Sequence, residues 1–173
     1  MAGPLKEIPD YIKPGLKILF VGYNPSIRSG ETGHHFANPS NRFWKILYRS
    51  GLTPRKYKPE EGRSLLQLGY GLTNIVARPG KAASEITAAE YAQGRELLKV
   101  KIGKYRPRLV CYVGKGIYQV FSGQKQISWG LQPNQVIAGV NDFVAPSSSG
   151  LVRIKEDDVA IIYQQLRILL ERL

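Results

Sequence analysis

Cysteine and histidine are scarce in this chain, and the shortage excludes several kinds of site. Cys111 is the one cysteine among 173 residues, so no disulfide forms within the chain and a four-cysteine zinc or iron–sulfur site is excluded. Cys111 lies in an apolar run and is expected to be a small core residue. The two histidines, His34 and His35, are neighbours in sequence and do not easily face one metal ion. We therefore expect neither a metal nor a cofactor.

Long hydrophobic runs are also missing. No apolar segment approaches the roughly 20 residues that cross a bilayer. Residues 1–6 lack the apolar core of a signal peptide. The sequence thus predicts a soluble protein of a reducing compartment, with a cytoplasmic (intracellular) location. At this length we expect one domain and, by default, a monomer.

Acidic residues are few compared with basic ones. They number 13 against 25 lysines and arginines, which gives a formal net charge of +12 and a pI near 9.9. A pI above about 9 in a small domain is typical of nucleic-acid binding. The alternative is a basic surface that does not bind nucleic acid, and charge alone does not distinguish these two possibilities.

Short apolar segments alternate with helical segments along the chain. The predicted strands are residues 17–22, 72–76, 109–113, 136–138 and 143–145. The predicted helices are residues 41–50, 60–68, 87–105, 114–121 and 157–173. This alternation indicates a single-domain α/β fold, a three-layer α/β/α arrangement with a mostly parallel central sheet. We place an N-terminal extension at residues 1–15 and the domain at residues 16–173.

The first predicted strand ends on Gly22-Tyr23-Asn24-Pro25-Ser26. In open α/β sheets the ligand sites form at the carboxyl edge of the strands. An asparagine there cannot act as a general base, because its amide does not titrate near neutral pH. Asn24 can only orient a bound group, through one acceptor oxygen and one donor nitrogen. The motif therefore predicts chemistry that needs a positioned nucleophile more than an activated one.

A second loop follows the last predicted strand and reads Pro146-Ser147-Ser148-Ser149-Gly150-Leu151. Its short hydroxyls and exposed backbone N–H groups suit phosphate oxygens. Leu151 is an apolar side chain in this polar loop, and Arg153 follows it. Such a composition is typical of a wedge that enters a duplex. A serine–glycine turn with its leucine anchored in the core is the commoner alternative.

Together the two loops resemble the two signature motifs of the mismatch-specific uracil/thymine-DNA glycosylases, a family of the uracil-DNA glycosylase superfamily. Further segments follow in the order and spacing of that family: Gly33-His34-His35-Phe36 and residues 41–45, 71–78, 114–115 and 130–133. The resemblance runs from about Leu16 to the last helix, and it implies the fold of that superfamily.

The resemblance implies a monofunctional DNA glycosylase whose partner is double-stranded DNA with G:U or G:T mismatches. Such an enzyme flips a nucleotide into a pocket, hydrolyses its N-glycosidic bond and so initiates base excision repair. Uracil is the expected base, with thymine and ethenocytosine also open. Departure of the base leaves an oxocarbenium-like sugar, and water attacking it needs placement more than deprotonation. No lysine of the motifs is placed as a Schiff-base nucleophile, so strand cleavage is not expected.

The same resemblance assigns roles to individual residues. Asn24 and Thr73 are expected to hold the attacking water. Phe36 is expected to stack on the flipped pyrimidine. By position, the N–H of Tyr23 or Ser26 and the Ser147 region are the candidates for stabilising the charge on the departing base. The full base pocket is expected to comprise Gly22, Tyr23, Ser26, Phe36 and Ser147. Contacts to DNA are expected from Ser148, Ser149, Gly150, Leu151 and Arg153, with Leu151 filling the space left by the flipped nucleotide.

His34 and His35 are placed by the resemblance near the sugar-phosphate backbone. A solvated or structural role is the alternative for both histidines. A core position is likewise the alternative for Phe36.

Departures from the related enzymes leave the rate and the preferred base open. The fast uracil-DNA glycosylases carry an aspartate in the first motif and a histidine in the second. This chain has Asn24 and no such histidine, so we expect modest turnover and dependence on a weakly paired base. The second motif resembles the thymine-processing branch up to Ser149 but the bacterial uracil branch at Gly150 and Leu151. A non-catalytic mismatch-sensing DNA-binding module and a nucleotide N-glycosidase of the same fold are the alternative functions.

Overall fold

A five-stranded β-sheet forms the centre of the protein, in a computed structural model that describes residues 5–173. The strands are β1 (Ile18–Gly22), β2 (Tyr70–Asn74), β3 (Leu109–Val113), β4 (Gly130–Leu131) and β5 (Asn141–Ala145). Their order across the sheet is β2-β1-β3-β5-β4. All neighbours pair in parallel except β4, which pairs antiparallel with β5 at the edge. The predicted mostly parallel sheet is confirmed.

Helices cover both faces of this sheet. They are α1 (Ile27–Thr32), α2 (Phe43–Arg49), α3 (Ala88–Tyr105), α4 (Lys115–Ser122), α5 (Glu156–Arg172) and the 3₁₀ helices Pro59–Leu68 and Ala83–Glu85. Side chains alternate along β1, so Ile18 and Phe20 pack with α2 and α5, whereas Leu19 and Val21 pack with α3 and α4. The two apolar cores make the three-layer α/β/α arrangement that the sequence predicted. None of the helices in residues 5–173 is both long and apolar enough to span a membrane.

Residues 136–138, predicted as a strand, form a turn instead. The backbone N–H at the start of this turn donates to the carboxylate of Asp142 (3.2 Å), which also accepts from two tyrosine hydroxyls (3.1 and 3.2 Å). Asp142 is buried, and its burial raises the pKa of its carboxyl. The Asp142 carboxylate therefore accepts a backbone hydrogen bond that a strand residue would have donated to a neighbouring strand. The antiparallel partner of β5 is therefore Gly130–Leu131 and not residues 136–138.

The segment predicted as an N-terminal extension packs into the domain. Tyr11 exchanges two backbone hydrogen bonds with Leu72 of β2, at 3.0 and 2.9 Å. The side chains of Ile8 and Tyr11 are both buried. Residues 8–11, which precede the predicted boundary at residue 16, are therefore part of the packed structure.

Candidate active site

A cleft of about 400 Å³ opens at the carboxyl edge of the sheet. Gly22 at the end of β1, Asn74 at the end of β2 and Val113 at the end of β3 all line it. The loop after β5, residues 147–151, also lines it. Because these four strands are parallel, their carboxyl ends meet at one edge. The two loops singled out in the sequence therefore line the same cleft.

Most of the predicted site residues line this cleft. They are Gly22, Tyr23, Asn24, Ser26, Phe36, Ser147, Ser148, Ser149, Gly150 and Leu151. The predicted residues that lie outside its lining are Thr73, His34, His35 and Arg153. The residues that gather come from two parts of the chain, residues 22–36 and 147–151, that are far apart in sequence.

The Asn24 side chain is oriented by the segment that follows β2. Its Nδ2 donates to the backbone carbonyl of Arg78 at 3.3 Å. A Cβ at Gly80 would lie 3.0 Å from the same Nδ2, so this backbone approaches Asn24 as closely as a glycine allows. Within residues 5–173, no donor is bonded to the Asn24 Oδ1, which is left as an acceptor. The arrangement can hold a water molecule without taking its proton.

Phe36 is fixed in an unusual backbone conformation beside β1. Its φ of 50° lies in the left-handed region, and its ring stacks on Phe43 with centroids 4.0 Å apart. Trp44 Nε1 donates to the Phe36 carbonyl at 3.2 Å, which holds the strained turn in place. A Cβ at Gly22 would lie 3.4 Å from the Phe36 ring and 2.6 Å from Asn74 Oδ1. Only a glycine at position 22 leaves room for both side chains.

Tyr23 and Ser26 use their side chains to hold the first loop. Tyr23 packs against Gly114 and Gly116, where an added Cβ would lie 2.6 Å from its ring and 2.5 Å from its hydroxyl oxygen, respectively. Burial raises the pKa of the Tyr23 hydroxyl, which accepts hydrogen bonds from the backbone at the start of α4. The Ser26 Oγ caps α1 by accepting from the Ser29 N–H at 3.1 Å. These two side chains shape the cleft and are not free to bind a base, so only the main-chain groups of Tyr23 and Ser26 remain for that purpose.

The second loop is clamped to α2 by Arg42. The backbone N–H of Arg42 donates to the Ser148 carbonyl at 2.8 Å. Its guanidinium donates to the carbonyls of Ile154 (3.2 Å) and Val152 (3.5 Å), so one residue holds both ends of the loop. Leu151 projects between these anchors and is 88% exposed. The leucine is therefore held out in solvent and is not anchored in the core.

Thr73 and His35 face away from the cleft. The Thr73 hydroxyl donates to Asp10 Oδ1 at 2.6 Å and accepts from Lys101 Nζ at 3.1 Å. The His35 ring is 2% exposed, and its Nε2 lies 2.8 Å from the Pro9 carbonyl oxygen. Both side chains are tied to the N-terminal segment. The water-holding role expected of Thr73 and the sugar-phosphate contact expected of His35 are not supported by this geometry.

The remaining two predicted contacts lie on the surface. His34 is half-buried and Arg153 is exposed, outside the cleft lining. Arg153 follows the exposed Leu151 by two residues and shares its loop. Its place there is compatible with a contact to DNA outside the cleft.

The family comparison decides the broad assignment. The model of the Uracil DNA glycosylase superfamily matches residues 9–167, nearly the whole chain. The chain belongs to this superfamily. Its fold is similar to the solution NMR structure of a candidate uracil DNA glycosylase from Methanosarcina acetivorans, with a TM-score of 0.57 at 22% sequence identity. That similarity covers 94% of this chain and 98% of the other, and it confirms the fold.

Membership of the uracil DNA glycosylase superfamily supports a hydrolase that acts on DNA as a glycosylase. It does not distinguish the mismatch-specific branch from the other branches of the superfamily. The chemistry of the cleft must therefore be argued from its own residues.

Several cleft residues of this superfamily member were missed in the sequence. They are Ile8, Asn38, Ser40, Asn41, Asn74 and Lys81. Asn74 could have been found from the sequence. It is the last residue of β2, which is parallel to β1, so it lies at the same edge of the sheet as Gly22. Ile8 carried no signal, since it lies ahead of the first strand in a segment without periodicity.

The cleft of this uracil DNA glycosylase superfamily member contains neither a carboxylate nor an imidazole among the lining residues that the structure describes. Within the same described residues, no group of three or more His, Cys, Asp or Glu side chains is arranged to hold a metal ion. The lining offers three kinds of group: amides, hydroxyls and a single lysine, Lys81. Such a site can position water and read a polar edge, but it has few groups that titrate near neutral pH.

Proposed function

We propose that the protein is a monofunctional DNA glycosylase that removes uracil paired with guanine from double-stranded DNA. The observation that carries the proposal is the gathering of Asn24, Phe36 and Leu151 at one cleft of a chain with a net charge of +12. An amide acceptor, an aromatic face and an exposed apolar side chain are what base flipping and water attack require. A binding module without catalysis would not need an oriented amide beside the aromatic ring.

The reaction follows from the properties of the Asn24 amide. The C1′–N bond breaks, and the bonding electron pair leaves with the base. The sugar becomes an oxocarbenium-like cation, to which a water molecule adds through its oxygen. Asn24 Oδ1 accepts a hydrogen bond from that water and aims it, while the water's second proton passes to solvent as the bond forms. The departing base is protonated in turn, so the charges balance.

The base is held by two side chains, Phe36 in the turn that follows α1 and Asn74 at the end of β2. Phe36 offers an aromatic face, and stacking of a base on such a face contributes about 1–3 kcal/mol. The Asn74 amide offers one donor and one acceptor, which match the adjacent N–H and carbonyl on the edge of uracil. Thymine shares this edge, and it differs from uracil by one methyl group. Phe36 and Asn74 together therefore favour pyrimidines that have the hydrogen-bonding edge of uracil, and thymine is the weaker candidate.

The G:U preference is supported by the composition of the cleft and by its exposed leucine. A cleft without a carboxylate gives little activation of water, so the cost of flipping must be small for turnover to occur. A mispaired base is extruded at lower cost than a paired one. Leu151 is placed to fill the vacated position in the stack, and its neighbour Gly150 can offer its backbone to the unpaired guanine.

The test is excision from a labelled duplex with one G:U pair, scored as breaks that appear only after alkali. Wild-type protein is expected to generate alkali-labile sites without direct cleavage. Asn24→Ala is expected to lower the single-turnover rate about 100-fold or more, because a misplaced nucleophile costs on that order. Asn134→Ala, the same change at an exposed position outside the cleft, serves as the control.

Wild-type rates in the Asn24→Ala variant would contradict the role of this amide. Binding of mismatched DNA without any base release would favour the mismatch-sensing module instead. Lys81 lines the cleft, so trapping with borohydride checks for a Schiff base. A trapped adduct that is lost in Lys81→Ala would contradict the monofunctional assignment.

A further inference from the structure

The segment that precedes the first strand forms one wall of the cleft. Ile8 lines the cleft, although its side chain is 8% exposed and lies ahead of all motif residues. It also lines a second cavity of about 320 Å³. Ile8 thus lies where the two cavities meet.

The partition between the two cavities is narrow. The residues that line both of them are Ile8, Pro25 and Asn74. Pro25 is buried, and its ring belongs to the rigid turn that carries Asn24. Asn74 lies against Gly22, where an added Cβ would be 2.6 Å from the Asn74 Oδ1. Ile8 is the third residue of this partition, and its apolar side chain can act only by filling space.

Ile8 is held in place by contacts on the residues that follow it. The Pro9 carbonyl accepts from the buried His35, and Asp10 forms an ion pair with Lys101 (2.5 Å) and a hydrogen bond with Thr73. Tyr11 is paired with β2 through its backbone. Because Pro9, Asp10 and Tyr11 are all anchored, the backbone beside Ile8 is held when a large base enters the cleft.

We propose that Ile8 is a specificity-determining residue that limits the size of the base the cleft accepts. The inference rests on the proposed glycosylase function and deepens it. Uracil is monocyclic and fits in front of the partition. A bicyclic base such as ethenocytosine needs more depth, and the second cavity supplies that depth once Ile8 is shortened.

The consequence is a predicted change in the ranking of bases. Ile8→Ala joins the two cavities and is expected to raise the preference for ethenocytosine over uracil about tenfold or more, since a few methyl groups in an apolar site are worth that much. Ile8→Val is expected to shift the ranking in the same direction by less. Ile8→Phe is expected to shift it the opposite way.

The experiment measures both excision and binding for each base placed opposite guanine. Excision is followed under single-turnover conditions, and binding is followed by fluorescence anisotropy on duplexes whose 2′-fluoro sugar resists cleavage. Ile12→Ala is the matched control, because this half-buried isoleucine is in the same segment and lines neither cavity. Thermal unfolding of each variant confirms that the comparison uses folded protein.

An ethenocytosine-to-uracil ratio that is equal in wild type, Ile8→Val and Ile8→Phe would overturn the proposal. An equal change in Ile12→Ala would also overturn it, since the effect would then be one of general loosening. Absence of excision of any base by the wild type would instead contradict the proposed function. The binding ratios on uncleavable duplexes would still decide the role of Ile8.

Discussion

At the scale of single residues, His35 links the cleft wall to the core. Its ring is buried, packs edge-on against Tyr11 with centroids 4.8 Å apart, and contacts the Pro9 carbonyl through Nε2. Burial lowers the pKa of His35, while Asp10 opposes that shift and Lys101 adds to it. The neutral imidazole is therefore the form that the folded protein holds.

The lowered pKa of His35 makes the folded protein less stable as pH falls. The unfolded chain takes up a proton on His35 as pH falls through its ordinary pKa of about 6.5, whereas the folded protein resists until lower pH. Stability contributed by this residue is thus present above about pH 6.5 and is lost as pH falls through the lowered folded pKa.

We predict that His35→Gln reduces the loss of thermal stability between pH 7.5 and pH 5.5 relative to wild type. A glutamine amide can still donate to the Pro9 carbonyl but does not titrate. Unfolding temperatures at the two pH values measure the effect, and His34→Gln is the control at the adjacent half-buried position. A wild-type pH dependence that persists in His35→Gln would show that another group is responsible.

Strand ends bring several of the predicted site residues to one cleft. Asn24 and Leu151 follow parallel strands, and that fact alone brings them to one edge. Thr73 is the residue before the last of such a strand, yet its hydroxyl bonds to Asp10 and Lys101, which are distant in sequence. The direction of a side chain depends on partners of this kind, which a pattern in one segment does not reveal.

At the scale of elements, the loop after β5 is a rigid support for an exposed apolar tip. Arg42 bonds to carbonyls on both sides of Leu151, and Tyr163 donates to the Pro146 carbonyl at 3.0 Å. The loop pays little conformational entropy when it meets DNA, because it is already ordered. Its leucine gains apolar burial only when a partner covers it.

We predict that Leu151→Ala lowers kcat/KM on a G:U duplex about 10- to 100-fold. Full burial of a leucine side chain is worth about 1.5–3 kcal/mol, and that gain is lost if the wedge is shortened. On single-stranded uracil DNA the loss is expected to be small, because no vacated stack needs filling. The unfolding temperature should not change, since the side chain is 88% exposed in the free protein.

Leu97→Ala is the matched control for this measurement, because Leu97 is an exposed leucine of α3 outside the cleft. Equal losses on single- and double-stranded DNA would contradict a wedge and indicate a general contact.

Element prediction failed where short segments lack periodicity or where a buried side chain replaces a strand partner. Helix α1 has six residues without an apolar pattern, and it exists because Ser26 caps it. Residues 136–138 have the composition of a strand, but the Asp142 carboxylate takes the backbone N–H that would have paired. Longer helices such as α3 and α5 were predicted to within about two residues of their observed ends.

At the scale of the whole molecule, the surplus of basic residues dominates encounter with DNA. Carboxylates in the described part of the chain form ion pairs with nearby lysines and arginines, as Arg49 does with Glu156 at 2.7 Å. With 25 basic residues and 13 acidic ones, many cations have no such partner. Those near the cleft include Lys81 in its lining and Arg153 beside the wedge. These charges act at the sheet edge where the base must enter.

We predict that the affinity for a G:U duplex falls steeply with salt, with about −0.9 in the log–log slope for each phosphate neutralised. Arg153→Ala is expected to reduce the magnitude of that slope by about 0.9 if its guanidinium meets one phosphate. Lys125→Ala is the control, because Lys125 is exposed, follows α4 and is outside the cleft lining. The single-turnover rate at saturating protein should depend little on salt, since bond cleavage inside the cleft releases no counterions. A slope that is unchanged in Arg153→Ala but reduced in Lys125→Ala would place the DNA on another face of the molecule.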